Sequence, residues 1–253
     1  MKNLLRTMLT WLVCIVIGPI VGVIFLVFWA RGMIRIEGYW KTFWAILRGR
    51  LLIVSNHPVM QDPLVYVGLW WWACILYPPK FLIWNLPGRN YFDDLLGKVS
   101  RDKWKHFPKW IYPIIHCIPV DRGGENLMEV IRKSNQVISA KRTLLVFGET
   151  RRTGSRDRND PGAEIEFTYS KDGSRQIQPC TAAVIKTSTK KKARFITAWI
   201  SVPFWKENPD FGFKTWWKGR HLVTVTFSDS YVPDPKLKSP QLLKQTQQRV
   251  LET

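Results

Sequence analysis

Acidic residues are scarce: 253 residues carry 19 Asp and Glu against 38 Lys and Arg, a formal net charge of +19. That excess implies an acidic partner, whether nucleic acid, anionic lipid headgroups or a phosphorylated substrate. Cysteine is nearly absent. The four present (Cys14, Cys74, Cys117, Cys180) are isolated and lack C-x-x-C spacing, which argues against a zinc site or a disulfide-stapled scaffold and fits a reducing compartment. With 16 Gly and no internal repeat, a collagen-like or solenoid architecture is excluded. Apolar residues at 46% are too many for a disordered chain and enough for one sizeable core.

What the chain has in excess is tryptophan, fourteen residues, a side chain favoured where one end is apolar and the other wet. It also has one long uncharged run, the 23 residues from Met8 to Ala30. About 20 apolar residues cross the hydrocarbon core of a bilayer as a helix. A signal peptide has a shorter apolar stretch and a small-residue cleavage site, and neither is present. Gly18-Pro19 near the middle predicts a kink, or a re-entrant helical hairpin in place of a spanning helix. Arg31, Arg35, Lys41, Arg48 and Arg50 follow the run with only Glu37 opposing them. That bias puts the rest of the chain on the cytoplasmic side of the inner, cytoplasmic membrane. The expected organisation is a membrane segment over 1–33 and a domain over 34–253.

Beyond the run, short apolar segments alternate with helical patterns. Leu51–Ser55, Ile114–Val120, Thr143–Phe147, Thr181–Ile185, Phe195–Ile200 and Leu222–Phe227 read as buried strands. Leu64–Tyr77, Leu127–Ala140 and Pro240–Leu251 read as helices. The order predicts an α/β domain with a mixed, mainly parallel sheet flanked by helices. The polar stretch 151–176 reads as a long loop.

Chemistry-bearing residues cluster where strands end. Ser55-Asn56-His57-Pro58-Val59-Met60-Gln61-Asp62-Pro63 follows the first apolar strand and contains H-x4-D. Pro63 suits the first position of a helix and Asp62 its N-cap. On a straight helix the two side chains would point about 140° apart, but a tight turn lets the carboxylate fold back on the imidazole. It would then fix the tautomer and leave the other nitrogen as a base. Alone, the motif reads more readily as a capped helix beside an incidental histidine. Three further blocks flank apolar segments: Ile118-Pro119-Val120-Asp121-Arg122, Phe147-Gly148-Glu149-Thr150-Arg151-Arg152, and Ile177-Gln178-Pro179-Cys180-Thr181.

In this order the four blocks resemble the glycerolipid acyltransferase family, which includes the lysophosphatidic acid acyltransferases and reads NHxSxxD, FIDR, FPEGTRS and a VPVAI-like strand. Ile34–Gly38 is similar to the family's first strand, and Val225–Phe227 through Pro233 to its last. The third block departs from the pattern, with Gly148 for Pro and Thr150 for Gly. An ungapped match puts the family's arginine on Arg152, a one-residue deletion on Arg151. His57 and Asp121 lie 64 positions apart, long for the family.

The resemblance implies transfer of a fatty acyl group from acyl-CoA or acyl-carrier protein to a lysophospholipid hydroxyl, without a further cofactor or metal. His57 and Asp62 would be catalytic, and Arg122, Glu149 and Arg152 or Arg151 would bind the acceptor. Lysophosphatidic acid is the default acceptor, giving phosphatidic acid; other lysolipids and a lipid A precursor stay open. Anionic membrane lipids are the expected surface partner.

Two other classes fit less well. A membrane-tethered nucleic-acid binder would use runs such as Lys186–Arg194, but no nucleic-acid module is recognisable, so no nucleic-acid partner is expected. A metal hydrolase built on His57, Asp62, His106, His116 and Asp121 lacks ligand-like spacing, and His116 reads as a satisfied core histidine.

Overall fold

The computed structural model of the chain describes residues 2–56, 66, 68–86, 110–120, 126–147, 179–201 and 222–253. Among these residues six strands form one sheet: β1 (Ile34–Glu37), β2 (Leu51–Ser55), β3 (Trp84–Asn85), β4 (Thr143–Phe147), β5 (Arg194–Ser201) and β6 (Val223–Phe227). Their order across the sheet is β1-β6-β5-β2-β4-β3. All neighbours are parallel except β5 and β6, so β2, β3, β4 and β5 end at one edge, where β6 and β1 begin.

Central β2 (LLIVS) is buried at every position, and its alternation divides the core in two. Leu51 and Ile53 join a cluster with Ala45, Ile46, Leu69 and Trp70, while Leu52 and Val54 join Val130, Ile138, Val184 and Leu242. A parallel strand covered on both faces reads as a continuous apolar run because no side faces water. The first cluster lies under α1 (Lys2–Ala30), α2 (Tyr39–Arg48), α3 (Trp71–Leu76) and α4 (Pro78–Phe81). The second lies under α5 (Leu127–Ser139), α6 (Pro179–Lys190) and α7 (Ser239–Leu251).

The expected doubly covered, mainly parallel sheet is present, with two corrections. The first concerns Thr181–Ile185, which is not a strand but part of α6. Thr181, Val184, Ile185, Ser188 and Thr189 are its buried positions, the i, i+3, i+4, i+7, i+8 stripe of a helix face. Hydroxyl residues fill three of those five positions, so counting hydrophobic residues misses the stripe. Thr187 and Thr189 satisfy their hydroxyls on the carbonyls of Ala183 and Ile185, each at 2.9 Å. Second, Ile114–Val120 is not a strand over its length: residues 110–116 are turns, and Cys117 forms a single parallel bridge to Asn85. Pro113 and Pro119 deny ladder donors, and His116 adopts a φ of 53°.

Of the two forms expected for the N-terminal segment, α1 takes the single helix, continuous with Pro19 inside it. Its stretch Thr7–Ala30 is long and apolar enough to cross a membrane. Thr10, Cys14, Gly18 and Gly22, one every fourth residue, face inward. The two glycines bring the backbone against α3: a Cβ on Gly18 would stand 3.2 Å from Ile75, and one on Gly22 would overlap the Trp71 ring. Small residues spaced by four allow close helix approach.

Candidate active site

The edge where the four parallel strands end receives the flanks of all four motif blocks. Ser55 and Phe147, the last residues of β2 and β4, are partners in register. The chain runs from Ser55 through Asn56 to His57, and from Phe147 through Gly148 to Glu149. Cys117 pairs in parallel with Asn85 beyond β3, and the Ile118 N–H donates to Asn85 O at 2.9 Å, leading through Val120 to Asp121 and Arg122. On the far side of the fourth block, Thr181 Oγ1 donates to Phe147 O at 2.9 Å, tying the start of α6 to the end of β4.

The proposed site residues His57, Asp62, Arg122, Glu149, Arg151 and Arg152 lie outside the described residues. Those that frame them are fixed. Asn56 is 2% exposed; its Nδ2 donates to Ile200 O at 2.9 Å and its Oδ1 accepts from Ile200 N at 2.7 Å. A side-chain amide has the donor and acceptor of a peptide unit, so Asn56 adds one rung to the β2–β5 ladder after the backbone has left it. Tyr66 OH donates to Ser55 Oγ at 2.6 Å, and Ser55 Oγ donates to Asn56 O at 2.9 Å. The nine residues between Asn56 and Tyr66, which contain H-x4-D, therefore start and finish at buried, hydrogen-bonded anchors. Asn126, just before α5, donates from Nδ2 to Pro119 O at 2.8 Å, and that bond brackets Asp121 and Arg122 in the same way.

Ser55 and Asn56 open the H-x4-D block, but nothing in the motif marks them as anchors. Asn56 and Ser55 were legible as polar residues closing an otherwise apolar run; Tyr66 and Asn126 carried no sequence signal.

Among the described residues near this edge, two cysteines and a histidine are disarmed. Burial pushes the Cys117 thiol up to about 12, against a smaller lowering by its bond to Asn85, and raises that of Cys180 to about 11. Both stay protonated at neutral pH, and a thiol attacks as its thiolate. His116 is a satisfied core histidine, as expected: Nδ1 donates to Leu82 O at 2.6 Å and the ring stacks on Trp84 at 4.5 Å. Among the described residues no His, Cys, Asp and Glu side chains gather as a metal centre would require.

The fold thus defines an α/β protein in which the described flanks of the four blocks lie at the carboxyl ends of adjacent parallel strands, where such sheets usually bind ligands. No protein-family model and no curated protein matches the chain. Among solved structures it is similar to the 1-acyl-sn-glycerophosphate (LPA) acyltransferase PlsC of Thermotoga maritima. The identity is 15% over 99% of this chain and 94% of that one, with a TM-score of 0.49.

Proposed function

We propose that the chain is a membrane-associated O-acyltransferase that moves a fatty acyl group from an acyl thioester to a lysophospholipid hydroxyl, with lysophosphatidic acid as the default acceptor. The observation that carries this reading is the bracketing of the H-x4-D block by Asn56 on Ile200 and Tyr66 on Ser55, beside the β4 end that leads to Glu149. Four sequence blocks that resemble one enzyme family in order have their described flanks at one sheet edge.

An acceptor hydroxyl is a weak nucleophile at neutral pH. In this reading His57 takes its proton as the oxygen attacks the thioester carbonyl, and Asp62 holds the imidazole and stabilises its cation. Collapse of the tetrahedral intermediate expels the thiolate, which recovers the proton from His57. No acyl-enzyme is required. Arg122 and Arg152 (or Arg151) bind the acceptor phosphate through charge-assisted bonds, and Glu149 orients a hydroxyl or an arginine. The catalytic edge faces the cytoplasm, and the donor is acyl-CoA or acyl-carrier protein.

The test supplies purified full-length protein with a mixed lysolipid pool and labelled acyl-CoA or acyl-carrier protein, and identifies products by mass spectrometry. One acylated lysolipid should dominate. His57→Ala should lose several orders of magnitude of turnover with an unchanged circular dichroism spectrum, and Asp62→Asn should lose less. Near-normal turnover in His57→Ala overturns the assignment.

A further inference from the structure

The helical layer over the first core cluster has an outer surface that the fold does not use. α2 packs inward through Tyr39, which stacks on Trp70 at 4.3 Å, and through Phe43, which stacks on Trp72 at 5.4 Å and Phe81 at 5.1 Å. Trp72 Nε1 donates to Tyr39 OH at 2.8 Å, closing that contact. Its other face holds Trp40 and Trp44, 63% and 56% exposed and one turn apart, followed a turn later by exposed Arg48. α3 lies between α2 and α1 and exposes Leu76 at its end, while the outward side of α1 exposes apolar residues from Leu5 to Trp29. The three helices cover the same core cluster and together expose many large apolar side chains, more than the scattered single residues of a water-facing domain.

We propose that α2 is a second membrane contact: Trp40 and Trp44 sit at headgroup level in the leaflet that α1 enters, with Arg48 directed to acidic headgroups. Indole rings favour the boundary where one edge is apolar and the other wet. A basic side chain one turn along adds attraction to anionic lipid. Lys41, on the same helix, is already engaged with Asp229 at 2.6 Å. The occupant is therefore the interface of an anionic bilayer, laid across the outer face of the α1–α3–α2 layer. The inference rests on α1 as a membrane helix and not on acyl transfer.

The test uses the full chain in vesicles of equimolar phosphatidylcholine and phosphatidylglycerol. Trp44→Cys and, separately, Trp40→Cys carry a polarity-sensitive thiol-reactive fluorophore. Met128→Cys on α5, 77% exposed under the opposite sheet face, is the control, and the parent chain gives the background from native thiols. Labels on α2 should shift to the blue, lose iodide quenching several-fold, and be quenched more by shallow than by deep spin-labelled lipids. An interfacial helix buries its apolar face only about 5–10 Å into the boundary. The Met128→Cys label should not change. Full iodide access at both α2 positions in vesicle-bound protein overturns the proposal. So does protection that appears in detergent without lipid and grows with protein concentration, which would assign the face to a second copy. Acyl transfer assayed on the same preparations separates the readings: activity with water-exposed α2 labels removes this proposal alone, and buried labels without activity remove only the enzymatic one.

Discussion

Asn56 offers the sharpest test of the site's framework, because its role is mechanical and its bonds are few. Replacing it with Ala leaves the N–H and C=O of Ile200, itself 1% exposed, without the partners they now have at 2.7 and 2.9 Å. A buried polar group stripped of its partner costs about 1–3 kcal/mol, so two such groups cost roughly 2–6 kcal/mol. That is a large fraction of the about 5–15 kcal/mol that holds a typical domain together. Urea titration in mild detergent, followed by tryptophan fluorescence, should show the midpoint falling accordingly at unchanged slope. Asn56→Asp adds a pH signature. Its carboxylate would accept from Ile200 N but oppose Ile200 O, so the folded state favours the protonated acid and raises its pKa above the unfolded value, about 3.9. The native state then binds more protons than the unfolded one, and stability falls as pH rises through and above that value. Because His57 is the next residue, the proposed function adds a loss in kcat larger than any change in acceptor KM. A shift below about 0.5 kcal/mol in Asn56→Ala, the ordinary range for surface substitutions, together with a pH-independent Asn56→Asp, would refute the reasoning.

Arg122→Ala should raise the acceptor KM roughly 10- to 100-fold, the equivalent of about 1.5–3 kcal/mol for a charge-assisted bond, and leave the thioester KM nearly unchanged. Of Arg151→Ala and Arg152→Ala, only one should match it, and untouched acceptor kinetics in all three variants would remove the phosphate-binding role. Gly22→Ala should lower the detergent-solubilised melting temperature by an amount equivalent to about 1–3 kcal/mol, since its Cβ overlaps the Trp71 ring. Ile20→Ala, at a position 60% exposed, is the neutral control; equal shifts would mean that the α1–α3 contact does not contribute to stability.

Where burial and period agree, the sequence alone is sufficient. β2 and β4 run over Leu51–Ser55 and Thr143–Phe147 as read from their apolar runs, because a central parallel strand has no wet face to interrupt the pattern. α5 shows the opposite extreme, apolar on one side and polar on the other, and was equally legible. Errors arose where polarity did not track burial. α6 buries Thr181, Ser188 and Thr189, and the hydroxyls of Thr181 and Thr189 bond within the fold. α2 was not foreseen at all, since its exposed face is aromatic and its buried face includes Thr42. The glycines on either side, Gly38 and Gly49 at φ 76° and 72°, were the available signal: left-handed backbone is where Gly punctuates a helix. For the site, the reactive residue types could be read from strand ends, whereas the anchors could not. Asn56 and Ile200 are 144 residues apart, and nothing local in either segment specifies the other.

α1 shows why size can replace polarity as the organising pattern. From Met8 to Ala30 the helix is uncharged on every side and has no amphipathic stripe, yet it has a definite inner face at Thr10, Cys14, Gly18 and Gly22, chosen by bulk. Thr10 Oγ1 donates to Ile114 O at 3.3 Å, and Phe28, 1% exposed, enters the core near the other end. The helix is therefore seated on the domain along most of its length rather than tethered by its last turn. Its C-terminal end leads to Ile34, the partner of Val223, where β1 and β6 begin together. That is the same edge at which β5 and β2 end, because β6 runs antiparallel to β5. From β1 to β2 is three strand spacings, about 14 Å at 4.7–4.9 Å each. The start of β1, just after α1, is thus three strand spacings from the strand end that leads to His57, a separation that the proposed function would use to take an acceptor directly from the leaflet beside α1.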